Sequence, residues 1–295
     1  MPITHPAKRL ALGTVQFGID YGVANQSGLV RQTDVGEILG AAWNSGMRTL
    51  DTAASYGKSE QVLGDCGVQN WAVITKVPPI PRGCVNVAAW VKEQVSCSIQ
   101  RLGIDQLYAV LLHRPDQILG GLGPQILHAL EDIRSLGLTK KIGVSIYDPS
   151  ELSELTSLFK FDLVQAPMNL LDRRLIDSGW AQKLKHLGVE IHIRSVFLQG
   201  LLLMSQQNRP LKFKKFQSIW SEWDKWLLSA NLTPLQACLA YVLSIKEVDK
   251  LIVGVDDITQ LKEIIDSTNV QLQTYPKWSI EVPYVLINPS MWDQL

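Results

Sequence analysis

The amino-acid sequence predicts an α/β protein, specifically a (β/α)8 barrel of the TIM type, and two observations lead to this fold class. From Arg9 onward, eight short apolar segments alternate with amphipathic helical segments. Most of the short segments are nearly continuous apolar runs, as parallel strands covered on both faces require. An open doubly wound sheet would share this alternation, but it is disfavoured because no G-x-G-x-x-G motif follows the first strand.

The first half of the chain is expected to contain four strands, each followed by a helix. Prolines should end the third strand after Lys76, and Gly103 should close the long third helix. Ser59 is expected to cap the short second helix, and Gly64 is expected to end it. The expected strands are 9–17, 48–53, 72–76 and 107–113, and the expected helices are 33–44, 59–64, 86–102 and 124–136.

The second half repeats the same unit four more times. Asp148 and Pro149 are residues favoured at a helix N-terminus and should begin the fifth helix. Thr233 followed by Pro234 is likewise typical of a helix N-terminus. The expected strands are 140–146, 163–169, 189–197 and 250–255, and the later helices include 176–187 and 258–265.

Two segments lie outside this repeat, although a single domain spanning 1–295 is expected. One is an extra helical segment near 201–228, whose tryptophans could pack on the barrel. The other is a C-terminal tail, 268–295, which is rich in aromatic residues. The tail could line the mouth of a pocket, brace the surface or contact another subunit.

The composition is that of an ordinary globular protein. Lysine plus arginine equals aspartate plus glutamate at 28 each, and hydrophobic residues make up 46%. A balanced charge gives no electrostatic reason to expect nucleic acid or a membrane surface as a partner. The four cysteines form no CxxC pair and have no histidine at ligand spacing, so we expect reduced thiols, no metal site and a cytoplasmic location. The sequence contains no signal-peptide core and no apolar run that could span a bilayer.

Four polar residues fall at or just beyond the C-terminal ends of the second, third and fourth strands. They are Asp51, Tyr56, Lys76 and His113. In a barrel these ends converge on one mouth, where α/β enzymes carry their catalytic loops. Lys76 would be tolerated there if Asp51 paired with it, and its charge would make the phenol of Tyr56 a better proton donor. His113 could hold a substrate oxygen, so the set predicts protonation of a carbonyl while a hydride arrives at carbon.

Each of these residues also has a simpler explanation when it is considered alone. Asp51 could be a turn or capping residue, and His113 could simply end its strand. Tyr56 could be a half-buried aromatic side chain. The joint occurrence of the set, in this order, is what favours catalysis.

Six motifs, taken together, resemble the aldo-keto reductase family along nearly the whole chain. They are GTVQFG at 13–18, LDTAASYG at 50–57, ITK at 74–76, LLHRPD at 111–116, KKIGVS at 140–145 and VQAPMN at 164–169. The resemblance implies a (β/α)8 barrel that binds a nicotinamide dinucleotide, NADPH or NADH, without a Rossmann fold. It also implies that Tyr56 is the general acid and that Asp51 and Lys76 together adjust the acidity of its phenol. His113 would orient the carbonyl.

The resemblance further implies where the dinucleotide would lie. Ser145 and Gln165 would hold the nicotinamide carboxamide, and the segment 195–200 would run along the pyrophosphate. The segment after the last strand would lie near the adenosine. The full set of expected cofactor-binding residues is Gly13, Thr14, Asp51, Ser145, Gln165, Arg194, Ser195, Phe197, Leu198, Gly200, Gly254, Val255, Asp256, Gln260 and Glu263.

The chain departs from the family pattern at three places. Ile146 stands where the family commonly has asparagine, and Arg194 stands where an aromatic residue usually stacks on the nicotinamide. A flat guanidinium can also stack on a ring, and it adds charge. After the last strand the chain has Asp256 and Asp257, which would repel a 2′-phosphate and accept bonds from ribose hydroxyls. Either aspartate could instead cap the next helix, so both cofactors stay open.

The sequence therefore predicts an NAD(P)H-dependent oxidoreductase that reduces a small-molecule aldehyde or ketone, with a sugar-derived carbonyl as one candidate. An alternative is a cofactor-sensing or regulatory protein with little turnover, which the altered nicotinamide contacts favour and the intact four-residue set disfavours. A lyase that uses Lys76 as a Schiff base is a weaker hypothesis, because Asp51 would keep that amine charged. The substrate's identity and the oligomeric state are left open.

Overall fold

The computed structural model describes residues 6–276, 278–279 and 281–295, and it contains a closed barrel of eight parallel strands. The strands are β1 Leu10–Gly13, β2 Thr49–Asp51, β3 Ala72–Val77, β4 Leu107–Leu112, β5 Thr139–Ser145, β6 Leu163–Pro167, β7 Glu190–Arg194 and β8 Lys250–Val253. Each strand pairs with the next along the chain, and β1 pairs with β8 to close the ring. The predicted TIM barrel is confirmed.

Helices follow the strands on the outside of the barrel. They are α1 Gln32–Asn44, α2 Ser59–Cys66, α3 Val87–Leu102, α4 Gly123–Ser135, α5 Leu152–Leu158, α6 Arg174–Asp177, α7 Trp180–His186, α8 Gln217–Ala230, α9 Pro234–Ser244, α10 Ile258–Asp266 and α11 Tyr284–Ile287. Thr233 caps α9 in a capping box with Gln236, as its sequence indicates. The single helix predicted for 176–187 is instead two helices, because Gly179 adopts a left-handed conformation between them.

Several strands end earlier than the apolar runs suggest. Residues after Gly13 form a short 3-10 helix, Val15–Phe17, rather than a continuation of β1. β7 ends at Arg194 because Ser195 has a φ of 61°, which a strand cannot contain. Phe17 and Val196, which lie beyond these ends, are buried although they are not in strands, so hydrophobicity alone extends the predicted strands too far.

The prediction that Gly64 ends the second helix is wrong. Helix α2 continues to Cys66, and Gly67, with a φ of 77°, provides its left-handed C-cap. Gly64 instead allows α3 to approach closely, since a β-carbon there would lie 2.0 Å from the carbonyl oxygen of Arg101. Ser59 does not cap this helix either; its hydroxyl donates to the carbonyl of Thr14 at 2.8 Å.

The lower, N-terminal end of the barrel holds a partly buried set of charged and polar side chains, which we call the floor network. Its members are Tyr108, Lys141, Glu190 and His192. The carboxylate of Glu190 accepts hydrogen bonds from the other three side chains, at 2.8 Å from Tyr108 and 2.7 Å from the His192 ring. Because the floor network lies at the end of the barrel opposite the carboxyl ends of the strands, we expect it to contribute to stability.

The two segments outside the repeat pack against the barrel. In α8, Trp220 and Trp223 are buried, so the predicted extra helix is present. In the described part of the tail, Trp292 packs edge-to-face on Phe213 at 4.8 Å, and the Trp278 indole donates to the carbonyl of Leu170. These contacts brace the outside of the barrel.

Among the described residues, no single helix has both the length and the apolar composition to cross a bilayer. Two successive helical segments, Leu211–Ala230 and Pro234–Ser244, reach that composition only when they are counted together across an 84° bend.

Candidate active site

A cavity of about 560 Å³ opens at the carboxyl ends of the barrel strands. The last residues of β1, β2, β5 and β7 line it, as does Gln165 of β6. This is the end of a β/α barrel at which catalytic side chains are found. Most of the site residues predicted from the sequence line this cavity.

A buried ion pair lies at the base of the cavity. Lys76, which is only 1% exposed, donates from Nζ to Asp51 Oδ2 at 2.7 Å and to the carbonyl of Thr52 at 2.9 Å. Gln165 donates to the second carboxylate oxygen at 2.7 Å. Burial alone would lower the pKa of the Lys76 ammonium, but the adjacent Asp51 carboxylate outweighs it and raises that pKa above its usual value. Lys76 therefore carries a fixed positive charge.

The phenol of Tyr56 lies directly beside this charge. Its oxygen is 3.4 Å from Lys76 Nζ, and its ring lies edge-to-face with the His113 ring at 6.1 Å. Two glycines position the Tyr56 loop. A β-carbon on Gly18 would lie 1.8 Å from the Tyr56 carbonyl oxygen, and Gly57 has a φ of 55°. The loop after β1 can therefore pack tightly against the loop that carries the phenol.

The imidazole of His113 is uncharged at neutral pH. Burial, together with the positive charges of Lys76 and Arg194, lowers its pKa to about 4. The ring nitrogen Nδ1 lies 3.2 Å from the Ser55 hydroxyl. A neutral imidazole in this position can form a hydrogen bond with a substrate oxygen but is not a reservoir of protons.

Arg194 brings a half-buried cationic group into the cavity wall. Its guanidinium donates to the carbonyl of Ile146 at 2.9 Å and lies 4.7 Å from the centre of the Tyr147 ring. No carboxylate of the described residues lies within 4 Å of it. Nearby, the Ser145 hydroxyl donates to Gln165 Oε1 at 3.1 Å, which joins the fifth and sixth strands at the cavity.

The turn after β7 has an unusual backbone. Ser195, Leu198 and Gln199 all have positive φ values, 61°, 50° and 54°, and Gly200 follows at 84°. Such conformations cost free energy in non-glycine residues and cluster at ligand-binding sites. The amide of Ala24 donates to the Gln199 carbonyl at 3.4 Å, so the β1 loop lies across this turn.

The opposite end of the cavity is formed by the segment after β8 and by the start of α10. Here Asp257 caps α10, with its carboxylate accepting from the Gln260 amide at 2.9 Å. Asp256 does not cap the helix. Its side chain lines the cavity with Gly254 and Glu263, and its Oδ1 is buried without a hydrogen-bond partner.

Most of the predicted cofactor-binding residues line this one cavity. The residues that do so are Gly13, Thr14, Asp51, Ser145, Gln165, Arg194, Ser195, Phe197, Gly200, Gly254, Asp256, Gln260 and Glu263. Leu198 and Val255 are buried and lie outside the lining, so a contact between either residue and a cofactor stays a prediction.

Sequence reasoning missed several lining residues. Tyr147 could have been found, because it follows the fifth strand by only two residues and so lies at the same mouth. Gln16, Tyr21 and Asn25 belong to the loop after β1, which has no periodic pattern from which their direction could be inferred.

Comparisons with known proteins point to one family. The sequence profile of the Aldo/keto reductase family matches residues 9–279. The chain is 23% identical to an NADH-specific methylglyoxal reductase of Escherichia coli over 90% of each protein. It is 26% identical to a D-threo-aldose 1-dehydrogenase of a Pseudomonas species, over 76% of this chain and 79% of that one.

A solved structure shows the same fold. It is the holo form of an aldo-keto reductase from Bacillus halodurans, with a TM-score of 0.69 and 21% identity, which covers 90% of this chain and 88% of the other. The profile match extends over nearly the whole barrel, and most of the residues that the resemblance singled out line the cavity at the mouth of that barrel. The chain belongs to the aldo-keto reductase family, the NAD(P)-dependent oxidoreductases that reduce carbonyl compounds.

Proposed function

We propose that this protein reduces a small, polar aldehyde or ketone to the alcohol, with Tyr56 as the proton donor. The observation that carries the proposal is the phenol of Tyr56 beside the buried ammonium of Lys76, with the neutral ring of His113 facing it. An ammonium in this position stabilises the negative charge that develops on the phenol oxygen as its proton leaves.

Each of the four side chains has one task in this proposal. The Asp51 carboxylate keeps Lys76 charged and fixed, and Lys76 stabilises the phenolate. His113 holds the carbonyl oxygen within reach of Tyr56, because a neutral imidazole can share a hydrogen bond with it. When bound, a reduced nicotinamide dinucleotide supplies the hydride that reaches the carbonyl carbon.

The cavity offers suitable groups along its length for such a cofactor. Ser145 and Gln165 would hold the carboxamide, and the strained turn 195–200 would follow the pyrophosphate. Buried acceptors without partners, Asp256 Oδ1 and Gln16 Oε1, lie toward the opposite end and fit the hydroxyls of a nucleoside. The residues present therefore suit a dinucleotide.

A small polar carbonyl suits the catalytic end of the cavity. Tyr21, Tyr147, Arg194 and Gln199 all line the cavity and bring polar groups to it. Two of the relatives carry names that refer to methylglyoxal and to an aldose, which are small and oxygen-rich. A 2-oxoaldehyde or a sugar-derived aldehyde is therefore the substrate class we propose.

Isotope transfer tests the reaction. The wild-type protein is mixed with a nicotinamide cofactor that carries deuterium at the transferable position, and with a panel of 2-oxoaldehydes and aldoses. The proposal predicts an alcohol with one deuterium on the former carbonyl carbon, and an equal amount of oxidised cofactor. Tight binding of the cofactor without its oxidation by any member of the panel would contradict the proposal and favour a cofactor sensor.

A further inference from the structure

We infer that Asp256 and Gln16 form a binding site for the adenosine ribose hydroxyls, and that this site makes NADH rather than NADPH the cofactor of this protein. The inference rests on the proposed function, because it takes the reacting end of the dinucleotide to be at Tyr56. It adds the choice between two cofactors that differ by one phosphate group on the ribose 2′-oxygen.

The direction of the cofactor follows from the residues that line the cavity. The nicotinamide must reach Tyr56, beside the ends of β2 and β3. The same cavity extends to Gly254, Asp256 and Glu263, after β8 and on α10. An extended dinucleotide that starts at Tyr56 therefore brings its adenosine half to this second end.

The structure separates the roles of two neighbouring aspartates. Asp257 serves the helix, because its carboxylate accepts from the Gln260 amide and caps α10. Asp256 has only a 3.3 Å contact from the Gln260 side chain to Oδ2, and its Oδ1 has no partner although it is buried. A buried acceptor without a partner costs free energy. A ligand that donates a hydrogen bond to Asp256 Oδ1 would remove this cost and bind more tightly as a result.

Gln16 supplies a second acceptor at this end of the cavity. Its side-chain amide packs on Gly254, where an added β-carbon would lie 2.5 Å from Nε2 and 2.7 Å from Oε1. Gln16 Oε1 is also buried without a partner. Ribose hydroxyls can donate to both oxygens, whereas a 2′-phosphate removes a hydroxyl donor and offers acceptors alone.

The local charge also disfavours a phosphate. Among the described residues that line the cavity, the acidic side chains at this end are Asp256 and Glu263, whereas Arg194 lies at the other end beside Tyr147. Burial and the nearby carboxylates of Asp257 and Asp20 raise the pKa of Asp256. Lys262, on α10, is exposed and lies outside the lining. A phosphate group with a charge of about −2 would be repelled by Asp256 and Glu263 and would have no cation beside it.

Side chains of the chain itself already occupy part of the N-terminus of α10. Helix N-termini bind phosphates through amides that have no partner within the helix. Here the amide of Asp256 donates to Gln260 Oε1 at 2.9 Å, and the amide of Gln260 donates to Asp257 Oδ1 at 2.9 Å. These two amides are already satisfied by side chains of the same turn.

Equilibrium binding tests the inference without any need for turnover. NADH and NADPH are titrated against the wild-type protein, with tryptophan fluorescence as the readout, and ADP-ribose and 2′-phospho-ADP-ribose are titrated separately. We expect NADH to bind on the order of 30-fold more tightly than NADPH, and the two ADP-riboses to differ by a similar factor, because the discrimination lies at the ribose.

Asp256→Asn is the test variant, and Asp257→Asn is its matched control, since it removes the same charge one residue away. Asp256→Asn should reduce the ratio of the two dissociation constants to about fivefold or less, whereas Asp257→Asn should leave it within about twofold of the wild type. Equal affinities in the wild-type protein, or equal effects of the two variants, would overturn the inference. Selective NADH binding without carbonyl reduction would instead contradict the proposed function and leave this inference standing.

Discussion

Replacing Asp51 with asparagine should destabilise the protein strongly, because it leaves the ammonium of Lys76 buried without its counter-ion. The pair is almost completely enclosed, with side-chain exposures of 1% for Lys76 and 6% for Asp51, and the two charged atoms are 2.7 Å apart. Removing one partner of such a buried pair costs about 3–5 kcal/mol. The carbonyl of Thr52, at 2.9 Å, remains as an acceptor, so we expect a loss of about 3 kcal/mol.

The double variant Asp51→Asn with Lys76→Met separates this explanation from a simple packing defect. Methionine fills a similar volume without a charge, and replacing a whole buried pair is often nearly neutral. The double variant should therefore unfold with a free energy within about 1 kcal/mol of the wild type, well above the single Asp51→Asn variant.

The pH dependence gives a second signature of the same pair. In the wild type the pKa of Lys76 is raised by Asp51, so its stabilising contribution is complete below pH 10.5 and is lost as the pH rises through the folded-state pKa. Without Asp51, burial should lower that pKa below 10.5. The single variant should then gain stability as the pH rises toward 10.5.

Urea unfolding of the three proteins at several pH values measures these effects. Adding Lys76→Met should restore most of the stability that Asp51→Asn loses. A loss below about 1 kcal/mol in Asp51→Asn, or a double variant less stable than either single variant, would refute the reasoning.

Three further predictions concern other parts of the molecule. Because the pKa of His113 is lowered to about 4, kcat/KM should fall only as the pH drops through about 4, and an inflection near 6.5 in the pH profile would contradict this. Hydrogen bonds and charges of the floor network lower the pKa of Glu190 from 4.5 to about 2. The ionised Glu190 therefore adds up to about 3 kcal/mol to the free energy of unfolding above pH 4.5, and this contribution is lost as the pH falls toward 2. Acid unfolding should show this loss in the wild type and not in Glu190→Gln. Gly64→Ala should destabilise the protein by about 1–3 kcal/mol through its contact with α3, whereas a thermal unfolding curve that does not shift would argue against that close approach.

The barrel and the catalytic set could be predicted from the sequence because both depend on local patterns. Alternating apolar strands and helices specify the fold class, and parallel strands direct their carboxyl ends to one edge. A polar residue that ends an apolar strand, such as Asp51, is therefore placed by the strand itself. The structure brings Tyr56, Lys76 and His113 beside it, although their roles stay predictions.

The remaining features depend on contacts between distant segments, which a pattern along the chain does not contain. Gly64 and Gly67 both lie near the end of one helix, and only the approach of Arg101 from the next helix distinguishes a packing glycine from a capping one. In the same way, Asp256 and Asp257 are equivalent in the sequence. Only the structure shows that Asp256 lines the cavity while Asp257 caps α10, because this depends on how the start of α10 is placed beside the cavity.

The central claim is that the phenol of Tyr56 protonates the carbonyl beside a fixed ammonium. A single turnover of the Tyr56→Phe variant tests it most directly, with reduced cofactor already bound and an aldehyde that the wild-type protein reduces. We expect a cofactor dissociation constant within about twofold of the wild type and a turnover slower by at least about 100-fold. Oxidation of the bound cofactor at the wild-type rate would contradict it.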